Sequence, residues 1–343
     1  MRKGDDERQG FAKCWDRKLA ADMSVRAESD ISNIYFVDID SRLIAFEVDG
    51  ATTLWSTDLG GSVVSNILVT DDSIIVATAR KEGGTSTGAV LRSVSKQTGI
   101  TSWFITLPDS DPITIGAVNG SLIGISSAGA VSSFDYATGE KKWTRLIGGK
   151  TTTPPFFSDD AVFVGTDRNQ VLEIAAATGN STAIAKSVGA PSVVYRDESG
   201  RILVGDDRGN LVLVSADGKR IWKFRNGARI ADLSHYDSEF LAASDDNFVY
   251  KISRAGNVEW KRRLSSRIDG RTLVIGDVAV FTTIGDGYVY VIDLTNGKIL
   301  NRFENGENNP AQAIGARKGF LMLTQNELAL FGGTCPQNKK TAP

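Results

Sequence analysis

The chain has 343 residues, 41% of them hydrophobic and 23% charged, with a formal net charge of −2. That profile fits a globule with an ample core, and the charge excludes nucleic acid as the main partner, which needs a basic face. No run of about 18 apolar residues occurs, so the sequence shows no membrane span.

The opening stretch, MRKGDDERQGF, has basic residues but neither an apolar core nor a small-residue cleavage site, so it does not read as an export signal. Residues 1–12 are expected to form a disordered segment, and the protein is expected either to stay in the cytosol or to have lost a signal. Next comes KCWDRKL, residues 13–19, a strand around Trp15 with no hairpin before it.

Similar strands follow at Trp55, Trp103, Trp143, Trp222 and Trp260, at intervals of 40, 48, 40, 79 and 38 residues counted from Trp15. The interval of 79 is two steps with one tryptophan missing. One more step from Trp260 reaches Leu300 in GKILNRF, so the period is near 40. Within each period an apolar run, a polar turn, a second apolar run and a glycine turn lead to the tryptophan strand, as in AVFTTIGDGYVYVIDLTNG. The runs are short, rich in Val, Ile, Phe and Tyr, and bounded by Gly, Asp and Asn, which is hairpin chemistry. Many are apolar at nearly every position, as strands buried on both faces are. No helical pattern appears.

The third strands, in chain order, are RLIAFEVDG, AVLRSVSKQTG, AVSSFDYATG, QVLEIAAATG, NLVLVSADG, FVYKISRAG, YVYVIDLTNG and ELALFGG. Eight such segments predict an all-β fold: an eight-bladed β-propeller of four-stranded antiparallel blades over residues 13–335, with 336–343 as a disordered tail. The eighth blade stops at Gly332 and Gly333 without an outer strand. The N-terminal strand KCWDRKL is therefore expected to complete the C-terminal blade and close the ring, leaving no open edge between first and last blades.

Laying LALFGGTCP and KCW on the first blade puts Cys335 near Gly50 and Cys14 on Leu54, on either side of one tight turn. A Cys14–Cys335 disulfide is expected there. It would place the protein in the periplasm or outside the cell; free thiols would place it in the cytoplasm.

GAVSSFDYATGEKKW and GYVYVIDLTNGKIL resemble the pyrroloquinoline-quinone-type propeller repeat, and the likeness runs over about residues 13–331. Within that class the layout is similar to the BamB family of outer-membrane assembly lipoproteins. That family also has eight blades, an N-terminal tryptophan strand in the last one and a seventh blade without the tryptophan. The resemblance implies a non-catalytic scaffold of the cell envelope that binds another protein, in outer-membrane protein assembly. Two features differ from the family pattern: Cys14 follows GFAK inside a strand and no lipobox, and the connections RLIGGKTTTPPFF and AKSVGAPSVVYRDE are short. No cofactor is expected, and the protein is expected to be monomeric on its own.

Two other classes compete: a ligand- or glycan-binding sensor propeller, and a degenerate quinone-dependent dehydrogenase. Enzymes of the second class use adjacent cysteines and a calcium ion held by Glu, Asn and Asp, and here the two cysteines lie at opposite ends. GGKTTT at 148–153 lacks the first glycine of a phosphate loop and joins two strands. His235 is the single histidine, which excludes multi-histidine metal sites. The pairs Asp38/Asp40, Asp206/Asp207 and Asp245/Asp246 fall in hairpin turns and lack calcium-loop spacing. From Lys219 to Arg271 there are 12 Lys/Arg against 7 Asp/Glu, much of it on outer strands, where charge either protects an edge or meets an anionic partner or lipid headgroups.

The candidate partner-binding residues are those feeding the loop face and mouth of the ring: Arg26, Arg229, Asp232, Arg267, Asp269 and Arg271. Charges on an innermost strand need water or a partner. The resulting funnel is expected to be mainly charged, suited to a docking peptide or protein and equally compatible with a salt-bridge ring satisfied within itself, with ARKEGGTSTGAV of blade two as a flexible flap beside it.

Overall fold

The computed structural model describes residues 10–19, 22, 27–30, 32–83, 85–108, 111–306, 311–317 and 319–335. Among these, 32 strands form eight four-stranded antiparallel sheets, and no helix occurs. The innermost strands touch their neighbours all the way round, from Glu28–Ser29 in blade one to Gln312–Ala316 in blade eight and back. This is the eight-bladed propeller that the repeat predicts.

The core lies between blades. Leu203 and Leu213 of blade five meet Phe240 and Ile252 of blade six, and Ile34 and Phe46 of blade one meet Leu321 and Leu330 of blade eight. Strands sandwiched this way lose the alternation of a half-exposed sheet: Ala161–Thr166 is buried at all six positions. Each large side chain so covered contributes about 1.5–3 kcal/mol.

At the seam, Ala12–Lys18 pairs antiparallel with Glu327–Gly332, setting Trp15 opposite Leu330 and Lys18 opposite Glu327. The first strand thus completes the last blade. Cys14 occupies the bulge where that register shifts, as Leu54 does in blade one. It is bonded to Cys335, with Cα atoms 5.1 Å apart. Ala12 lies within this strand, and the Phe11 ring packs 5.7 Å from that of Phe320.

Blade tryptophans hold successive blades together. A Cβ on Gly99 would fall 2.7 Å from Trp55, and one on Gly139 2.5 Å from Trp103, so the next blade's turn must be glycine for the indole to lie on it. Trp55, Trp143, Trp222 and Trp260 also donate Nε1–H to a carbonyl of the following blade, at Lys96, Ala176, Arg254 and Leu294, over 2.8–3.2 Å. Trp15 departs from this. Its neighbouring turn carries Ala51, at φ 50°, in the glycine position. Its ring packs 6.3 Å from Phe46, but its buried Nε1 meets no acceptor among the described residues.

Two expectations change. In blade seven the tryptophan position is held by Asn301 and not Leu300: Asn301 faces Val291 as Trp260 faces Lys251, and Leu300 is the bulge residue. Counting from tryptophan to tryptophan missed this because the intervals are not uniform. The blade-two segment expected as a flap is a continuation of the sheet, since Ser73–Glu82 and Thr85–Ser95 stay paired out to Glu82 and Thr85. Its alternating Thr and Ser residues sustain a strand despite the glycines around them.

Candidate functional site in the central channel

Innermost strands of blades four to seven line one sector of the channel and enclose a cavity of about 640 Å³. Four of the six sequence candidates meet there: Arg229, Asp232, Asp269 and Arg271. Arg267 is exposed on the loop face outside the cavity lining, and Arg26 lies outside the described residues.

A bulge brings the charges together. In blade seven, Asp269 pairs with Thr282 and Leu273 with Val280, so Gly270, Arg271 and Thr272 face Phe281 alone and loop out. Gly270 takes φ 79°, which a residue with a side chain rarely adopts. Bulges of this kind re-aim side chains. Thr272 N–H donates to Asp232 Oδ2 at 2.7 Å, tying blade seven to blade six.

Burial raises the pKa of Asp232, and the Thr272 hydrogen bonds and Arg271 only partly oppose it. Glu28, reaching in from blade one, is also raised by burial and opposed by Arg271. A single guanidinium therefore serves two desolvated carboxyls from different blades. On the loop face above, Arg229 reaches Asp245 at 3.6 Å, an exposed pair that contributes little stability.

The opposite wall is aromatic. Phe156 and Phe157 of blade four and Tyr195 of blade five line it, with Phe156 edge-on to Tyr195 at 5.3 Å. Tyr195 Oη and His235 Nδ1 are hydrogen-bonded at 2.9 Å. A mainly charged funnel was the expectation; the observed cavity is amphipathic. The signal lay in FF at 156–157 and in Tyr195, residues about 40 apart that only blade stacking unites.

The acidic turns are turn chemistry. Asp38 accepts the backbone N–H of Asp40 and Arg42, and Asp246 accepts from Phe248 N and Tyr250 Oη. Burial alone would push Asp206 up, but hydrogen bonds from Asn210, Gly189 and Ser187 hold it below its ordinary value. Among the described residues no group of three or more His, Cys, Asp or Glu is placed to hold a metal ion. Both cysteines are joined at the seam, 321 residues apart in sequence, so the chain lacks the adjacent cysteine pair of the quinone-dependent dehydrogenases.

An eight-bladed ring with tryptophan-on-glycine docking between blades defines a propeller of the quinone-repeat class. The family model described as outer membrane protein assembly factor BamB matches residues 6–112, 109–185 and 185–319, and the chain belongs to that family. Among solved structures, BamB from Moraxella catarrhalis superposes with a TM-score of 0.72 at 13% identity, covering 94% of this chain and 97% of that one. The C-terminal WD40 domain of Sif2 gives 0.76 at 14%, covering 94% and 98%. Quinohemoprotein alcohol dehydrogenase from Comamonas testosteroni gives 0.70 at 11%, covering 98% and 79%. Identities this low establish the fold alone. A comparison with curated proteins found no match.

Proposed function

We propose that the protein is a non-catalytic scaffold of the cell envelope that docks another protein on its loop face, in the assembly of outer membrane proteins. Membership of the BamB family supports the scaffold reading. The observation that carries it is the loop face of blades six and seven, where exposed Arg229 and Arg267 stand over a channel holding Arg271, Asp232 and Asp269. Such an arrangement gives a docking protein orientation and specificity. The Cys14–Cys335 bond supports an oxidising compartment, periplasmic or extracellular.

Cross-linking in native envelopes followed by mass spectrometry tests this reading. One partner protein is expected to cross-link to the loop face, and Arg267→Glu with Arg271→Glu should remove it. Cross-links unchanged by that pair would refute the loop-face assignment.

The aromatic wall of Phe156, Phe157 and Tyr195 favours a second reading, a ligand-binding propeller. Saturable shifts of the single His235 imidazole signals on titration with aromatic or sugar ligands would support it, and flat titrations would remove it.

A further inference from the structure

Among the described residues every blade ends in an outer strand that pairs on one side only, and such edges invite another strand. Seven of the eight carry at least one charged side chain, as in KKWTRL, STAIAK, RIWKFR, VEWKRR, ILNRFE, AKCWDRK and TTLWSTD. Blade two is the exception: Thr101–Leu107 is TSWFITL, with no charge at all. Its Phe104 points outward, 67% exposed. The protection applied around the rest of the rim is missing here.

A cleft adjoins this edge. Between blades two and three a cavity of about 330 Å³ has an apolar wall of Ile105, Leu107, Ile113, Gly124 and Phe134, and Asp111, Glu140 and Lys141 also line it. It exists because blade three places Gly124 opposite Ser132. The corresponding pairs are Phe36 and Ile44 in blade one, Val76 and Arg92 in blade two, and Val204 and Val212 in blade five. A Cβ on Gly124 would meet only ordinary contacts at 3.8 Å, so nothing in the backbone demands glycine there. Volume has been left out beside the one uncharged edge.

We propose that Thr101–Leu107 accepts an added β-strand from a partner protein. The incoming segment is extended and uncharged, and one of its alternate apolar side chains, of the size of phenylalanine or leucine, enters the cleft beside Gly124. Main-chain hydrogen bonds supply affinity in this mode and the side-chain pocket supplies selectivity. An uncharged edge selects an uncharged strand, since a charge placed beside Thr101–Leu107 finds no ion-pair partner on that strand. Thr101–Leu107 is an outer strand, and its cleft is lined by none of Arg229, Asp232, Arg267, Asp269 and Arg271, so the proposal stands or falls independently of the docking reading above.

The test uses the whole protein and a blocked heptapeptide of alternating threonine and valine with a central phenylalanine. Calorimetry should show saturable binding, and hydrogen exchange should slow in Thr101–Leu107. A peptide N-methylated at alternate residues, unable to donate, should bind at least tenfold more weakly. Gly124→Val, which installs the residue found at Val76 and Val204, should weaken the phenylalanine peptide about tenfold while leaving an alanine-centred copy unchanged. Phe104→Lys with Thr106→Lys should abolish binding of both. Absence of saturable binding, indifference to N-methylation or indifference to the edge lysines would overturn the proposal. So would sedimentation of the free protein as a dimer broken by those lysines, because a second copy would then fill the edge.

Discussion

Asn301 of blade seven and Phe11 of the N-terminal segment clasp each other: Phe11 N–H donates to Asn301 Oδ1 at 2.8 Å, and Asn301 Nδ2–H donates to the Phe11 carbonyl at 3.1 Å. Where blades one, two, three, five and six set an indole against a glycine turn, blade seven uses a carboxamide against backbone. The ring's first strand is thereby tied to the blade before its own.

Asn301→Leu removes both hydrogen bonds and leaves the Phe11 backbone groups half-buried without partners. A loss of about 1–3 kcal/mol is expected in urea unfolding. Hydrogen exchange should accelerate across Ala12–Lys18 before any other outer strand; uniform acceleration would mean that the clasp does not hold this strand.

Reduction of Cys14–Cys335, or Cys14→Ser with Cys335→Ser, releases a loop with a sequence separation of 321. Loop-closure arithmetic gives an upper figure of about 5–6 kcal/mol, and measured disulfides run nearer 2–4 kcal/mol. The reduced protein should remain folded, because the Trp15–Leu330 strand pairing survives. Melting with and without reductant checks this, and coincident curves would show that the bond contributes nothing.

Trp15 and Trp55 provide an internal control. Trp55→Phe loses the 2.8 Å bond to Lys96 and strands its carbonyl, whereas Trp15 Nε1 has no bond to lose. Trp55→Phe should cost about 1 kcal/mol more than Trp15→Phe. Ala51→Gly should in turn stabilise by about 1 kcal/mol, since alanine at φ 50° pays a steric penalty that glycine does not.

Asp232 and Glu28 hold their protons more tightly in the fold than in the unfolded chain, because burial disfavours their charged forms. Their contribution is full below the ordinary carboxylate value, about 4, and is lost as pH rises through the raised folded values. Asp232→Asn keeps an acceptor for Thr272 N–H but carries no charge. Relative to wild type, the variant should gain stability between about pH 4 and 7 and match it at pH 3. Parallel urea midpoints across that range would contradict this.

The ring could be read from the sequence because each of its causes is local and repeated. A turn glycine four residues ahead of a tryptophan recurs in GITSW, GEKKW and GNVEW, and one unpartnered tryptophan strand at Trp15 demanded a partner at Leu328 to Leu330. The disulfide followed by superposing one blade on another. The site was legible only in part. Arg229, Asp232, Asp269 and Arg271 were marked by being charged on inner strands, but Phe156, Phe157 and Tyr195 look like core until stacking turns one face toward the channel. The Gly270–Thr272 bulge depends on the register against Val278–Thr283, which no single segment encodes. Likewise, the missing charge in TSWFITL means nothing until the strand is known to be an edge.

Strand order also imposes a schedule on biosynthesis. Residues 12–18 leave the ribosome before every other described strand, yet their partners Glu327–Gly332 are among the last described residues to follow. For nearly the whole of translation, Trp15 lacks its strand partner Leu330 and the Cys14 thiol lacks Cys335, and seven blades can form while the eighth waits. Completion is therefore a single late event, and a nascent chain halted before Glu327 would carry an unclosed ring with both seam edges open to other chains.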